Sequence, residues 1–147
     1  MEQENKQKLL LQDLSTRMSH GVICNTPKGD GYLCSIDQTI FGTVYGINIK
    51  ATTRDYFNDK EVCIKPYLRP LSSMTDEEKN ELNSISHEFC HEWLDALTTE
   101  ERYVISAKMQ RRSIELYNSH HLDYNGLISK GLAIAINENN NPYERMN

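Results

Sequence analysis

The sequence has no apolar run long enough to span a membrane, no C-x-x-C pair and no excess of basic residues. A transmembrane helix needs about 20 predominantly apolar residues in a row, so that class is excluded. Lys plus Arg number 16 against 21 Asp plus Glu, a net charge of −5. That balance argues against a broadly basic nucleic-acid binder. There is no internal repeat and no low-complexity linker, which removes rods and fibrous repeats. P-loop, G-x-G-x-x-G, G-x-S-x-G and EF-hand patterns are all missing. The first residues, Met1-Glu2-Gln3-Glu4, are acidic where a signal peptide is basic, and the longest early apolar run is Leu9-Leu10-Leu11. A cytoplasmic protein is therefore expected. Cys24, Cys34, Cys63 and Cys90 are irregularly spaced, and in that compartment they read as reduced, buried thiols.

What is there fits one small α+β domain over residues 1–147, with 38% hydrophobic and 25% charged residues. Leu10, Leu11, Leu14 and Met18 fall at helical spacing and predict a helix over 5–18. A β region follows over 22–65. Residues 22–36 read as a hairpin around Pro27-Lys28-Gly29-Asp30-Gly31, and 39–49 as a third strand. Residues 54–60 read as a polar loop and 61–65 as a fourth strand stopped by Pro66. The expected sheet is small, curled and antiparallel, with about four strands.

The helical region spans 75–121. Thr75 with Glu78 forms a capping box, and Leu82, Ile85, Phe89, Trp93 and Ala96 make one stripe of a helix over about 76–96. Thr98 with Glu101 is a second box, and 108–119 is helical. Tyr103-Val104-Ile105 fits a helix start or a short strand, and 132–136 a buried strand or a last helical turn. The Asn-rich tail, 137–147, is expected to be loose.

One motif points to chemistry. His87-Glu88-Phe89-Cys90-His91 matches H-E-x-x-H. On a helix the two histidines stand one turn apart and can share a zinc ion, with Glu88 as general base toward the metal-bound water. Glu115 is the candidate third ligand, with Glu100 and Glu101 nearer in sequence. Against this, His87 and His91 fall on the side of the helix away from the apolar stripe. Ser84, Ser86 and Glu92 around them are hydrophilic. A solvated helix face explains the pattern without a metal.

Other signals point to binding. Tyr32, Tyr45, Tyr56 and Tyr67 fall in or beside the β region, where phenols give rigid contact area with a polar tip. Lys108, Arg111 and Arg112 form the one basic cluster, suited to an acidic partner or to a solvated helix face. His120-His121, close to Asp123, fits a helix C-terminus.

Two segments carry a resemblance. Lys65-Pro66-Tyr67-Leu68-Arg69-Pro70-Leu71-Ser72-Ser73-Met74-Thr75 is one, and His120-His121-Leu122-Asp123-Tyr124-Asn125-Gly126-Leu127-Ile128 with Gly131-Leu132-Ala133 is the other. Both resemble a family of small uncharacterised proteins from phages and prophages of gut Bacteroidales. The family pattern usually has Phe at the position of Leu122 and Arg at that of Asn125. The resemblance implies a source and no activity, and it places the H-E-x-x-H segment in a stretch that varies within the family. The expectation is a non-catalytic phage- or prophage-type accessory protein in a bacterial cytoplasm. It would bind a host protein or a small ligand, with counter-defence as one candidate role, and use neither cofactor nor membrane. The alternative is a minimal zinc-dependent hydrolase using His87, Glu88, His91 and Glu115.

Overall fold

The computed structural model describes residues 2–50 and 53–145. The fold is α+β. Helix α1 (Glu2–Arg17) leads into a six-stranded sheet, followed by a helical hairpin and a return to the sheet edge. The strands are β1 (Ile23–Thr26), β2 (Gly29–Thr39), β3 (Gly42–Lys50), β4 (Thr53–Asn58), β5 (Lys65–Leu68) and β6 (Ile134–Ala135). The remaining helices are α2 (Asp76–Asp95), α3 (Thr99–Ser119) and the single turn α4 (Pro142–Arg145). The sheet order is β4-β3-β2-β1-β5-β6. Every pairing is antiparallel except β5 with β6, so the sheet is mixed, and it is larger than the four strands expected.

Alternation explains the main core. Tyr45 and Ile47 on β3 and Phe57 on β4 point to the same side, where Leu10 and Leu14 of α1 pack with Val22, Cys24, Leu33 and Leu68. Burial pushes the Cys24 thiol well above the ordinary range, so it stays protonated. All four cysteines are free; Cys63 and Cys90 are exposed, contrary to the expected burial.

Three further expectations are corrected, and one left open is decided. Residues 53–58, most of them in the stretch read as a polar loop, form a strand, because Phe57 turns inward while Arg54 and Tyr56 turn out. The strand expected at 61–65 begins at Lys65 and includes Pro66, which a strand accepts near its start. Tyr103-Val104-Ile105 is helical. The Thr98 hydroxyl accepts from Glu101 N at 3.1 Å, so the local cap overrides β-branched preference. The tail is not loose over 137–145. Asn137 Oδ1 accepts from the backbone of Asn139 and Asn140, and the Tyr143 hydroxyl accepts from Ile23 N and donates to Tyr67 O, both at 3.0 Å. Residues 146–147 lie outside the described residues.

The two segments quoted for the resemblance meet in one seam. Arg69 N donates to His121 O at 2.7 Å and Asp123 N to Arg69 O at 2.9 Å. Leu122 is fully buried there, and the Asp123 carboxylate accepts from Leu127 N and Ile128 N. These contacts fix the chain where it leaves α3 for the sheet edge.

Candidate functional site

Helix α2 starts at a complete capping box: Glu78 N donates to the Thr75 hydroxyl, and Thr75 N donates to the Glu78 carboxylate. The same carboxylate takes two hydrogen bonds of 2.7 Å from Arg69, which hold its pKa down to about 2. This start sets the phase of the helix. Ile85 and Phe89 turn toward Ile105 of α3 and form a second, small core with it. His87 and His91 are left on the exposed side.

The parts of the H-E-x-x-H motif do not converge. Glu88 faces α3, where Arg112 approaches its carboxylate to 3.0 Å. Glu88, Arg112 and Glu115 line an open groove of about 470 Å³ together with His20, Glu81 and Ser84. His87 and His91 are not part of its lining. Among the described residues, no group of three or more His, Cys, Asp and Glu side chains is placed to hold a metal ion. Glu88 is engaged by Arg112 in a half-exposed ion pair rather than turned toward the two histidines.

The four tyrosines separate into two pairs. Tyr45 is 1% exposed and its hydroxyl makes no hydrogen bond; burial pushes its pKa upward. Tyr67 is buried, with its hydroxyl donating to Asp30 at 2.9 Å. Both are core residues and present no ring to a partner. Tyr32 pairs with Asn48 and Tyr56 with Gly46, positions two apart on β3, so both sit on the face opposite Tyr45 and Ile47. Tyr32 is half-buried, while Tyr56 is 60% exposed.

The most exposed apolar pair of the sheet lies elsewhere. Thr39 pairs with Gly42, and the two-residue turn between them is Ile40-Phe41, at 89% and 71% exposure. Sequence reasoning placed both inside a strand, because turns are read from polar and glycine residues. The usable signal is Gly42. It takes φ of +119°, while Ile40 and Phe41 stay outside the positive-φ region. The turn is held rigidly. The Thr39 hydroxyl accepts from Phe41 N at 3.1 Å and donates to Gly42 O at 2.9 Å, and Asn58 Nδ2 donates to Phe41 O at 3.2 Å. The result is a fixed apolar knob at the end of the longest hairpin.

Comparison with protein-family models, curated proteins and solved structures yields no match to this chain. Among the described residues, no helix is long and apolar enough to cross a membrane.

Proposed function

We propose that the chain is a non-catalytic accessory protein of the phage or prophage type that binds a host protein in the bacterial cytoplasm. Blocking a defence component is one form of that role. The observation behind this reading is the Ile40–Phe41 knob. Large apolar side chains on a hydrogen-bonded turn enter a pocket with little backbone ordering left to lose, and desolvating them favours the complex. A convex knob suits a protein pocket, whereas a small ligand is enclosed by a concave site.

The test is affinity capture from a host lysate, followed by calorimetry with the purified captured protein. Ile40→Asp and Phe41→Asp are each expected to cost about 2–4 kcal/mol of binding, as anchor residues do. Stability should move by less than about 0.5 kcal/mol, because both positions face water. Equal affinity for wild type and both variants would end this reading.

The hydrolase alternative is tested separately. His87→Ala and His91→Ala are each expected to stay within about 0.5 kcal/mol of wild-type stability, with no change in zinc content by elemental analysis. Stoichiometric zinc lost in both variants would promote the hydrolase. Glu88→Gln, which removes a general base but no ligand, would then abolish its activity while keeping its metal.

A further inference from the structure

A second groove borders the one that holds Glu88 and shares His20 and Glu115 with it. It lies between α3 and the end of α1 with the turn Met18–His20 that follows. Its volume is about 440 Å³, inside the roughly 300–1,000 Å³ of small-ligand sites. Every residue that lines it is exposed or half-buried except Asn118, which is 2% exposed. Asn118 Nδ2 donates to Thr16 O at 3.1 Å, and Asn118 Oδ1 is buried with no hydrogen-bond partner. The Thr16 carbonyl can only accept, so it fixes which way the amide points. The groove therefore has a buried acceptor in its wall that lacks a donor. Such a group is costly to leave unmade, and folded proteins leave few of them.

We propose that this groove binds a free α-amino acid with an aliphatic side chain. Ala107, Arg111, Ile114 and Asn118 follow one another on α3 at spacings of four, three and four, so they share one face. Glu115 stands three residues before Asn118, a neighbour on the helix surface. Arg111 and Glu115 are one turn apart, where opposite charges ordinarily pair. Among the described residues, neither has an ion-pair partner. Asn118 Oδ1 and the Glu115 carboxylate are two acceptors, one of them charged, for a single ammonium group. Arg111 is the cation left for a carboxylate. An α-amino acid carries both groups on one carbon, and the long side chains of Arg111 and Glu115 span their separation. Ala107 and Ile114 offer its aliphatic side chain an apolar contact. A simple amine leaves Arg111 unused, and a simple carboxylate leaves the buried acceptor unserved, so the charge pattern selects the zwitterion. The knob at Ile40–Phe41 is on another element, so this inference stands or falls independently of the proposed host-protein binding.

Titration of the full chain with leucine, followed by two-dimensional amide NMR, is the test. Saturable binding is expected, with a dissociation constant of about 1 mM or below. The side-chain amide signals of Asn118 should move together with the backbone amides from Arg111 to Asn118. Leucinamide lacks the carboxylate and isocaproate lacks the ammonium; each should bind about tenfold more weakly or worse. Glu115→Gln should weaken leucine binding by about tenfold. Arg111→Gln should bring leucine down to the level of leucinamide without weakening leucinamide itself. Both residues are exposed, and circular dichroism checks that the fold is kept. Asn118→Ala would also remove the Thr16 contact, so the role of Asn118 is read from its own signals. No saturation by about 20 mM leucine overturns the proposal. So does equal affinity for leucine and either analogue, indifference to both substitutions, or binding that leaves the Asn118 side-chain signals in place.

Discussion

Asp13→Ala is expected to remove about 3–5 kcal/mol of stability, the largest effect of any single change considered. Asp13 is 0% exposed and Arg17 1%. They are one turn apart on α1, with Arg17 Nε at 2.7 Å from Asp13 Oδ2 and Nη2 at 3.1 Å from Oδ1. The pair does more than stabilise its own helix. Arg17 Nη2 also donates to Leu122 O at 2.7 Å, and Asn125 Nδ2 donates to Asp13 Oδ1 at 2.8 Å. The guanidinium further lies 4.9 Å from the centre of the Tyr124 ring. The ion pair thus fastens α1 to the turn after α3. Without the Asp13 carboxylate, a guanidinium is left in a site closed to water with no counter-charge. Since a domain is stable by about 5–15 kcal/mol in total, urea unfolding should show a large fall in midpoint. Replacing both partners, Asp13→Leu with Arg17→Met, should cost less than Asp13→Ala, because no charge then remains buried. A single-variant cost below about 1 kcal/mol would contradict this account.

Local signals were legible in the sequence, and long-range ones were not. The Thr75–Glu78 box lies within four residues, and it places the start of α2 at Asp76 as expected. Arg17 stands between the apolar positions of α1, where a charged residue ordinarily faces water. Its burial depends on Leu122, 105 residues away, and no local pattern carries that. Strand β4 was missed for a related reason. It is an edge strand with polar residues on its outer face, so Phe57 is its one inward marker. The tail is fixed by Tyr143 reaching back to β1 and β5, a tertiary contact that overrides an Asn-rich composition. At the candidate site, helical phase already put His87 and His91 on the solvated side. The hold of Arg112 on Glu88 was not legible, because it depends on how two helices pack. The turn at Ile40-Phe41 was hidden because its residues are those of a strand, and Gly42 alone marks the bend.

Stability should fall as pH drops from 6.5 to 4, and His121 is the cause. Its backbone sits at φ of +57°, and its ring stacks on Tyr143 at 3.7 Å with 13° between planes. Nδ1 is buried without a hydrogen bond. Burial first, and then the positive charge of Arg17, lower its pKa from 6.5 to about 4. Between those values the unfolded chain binds a proton that the folded protein refuses. The stabilisation is therefore full above pH 6.5 and is lost progressively down to pH 4, by at most about 3 kcal/mol. Glu78 acts in the next window. With its pKa held down to about 2 by Arg69, it contributes stability above its ordinary value of 4.5 that is lost as pH falls toward 2. Stability is accordingly lost over two pH windows, each set by a different group. His121→Asn separates them. Asn tolerates the left-handed backbone and does not titrate, so the variant loses the ring stacking at every pH but should flatten the upper window. Urea midpoints at pH 7, 5.5 and 4.5 measure the His121 slope, and a further midpoint at pH 3 reads that of Glu78. The assignment fails if the wild type is flat across that range, or if His121→Asn keeps the wild-type slope.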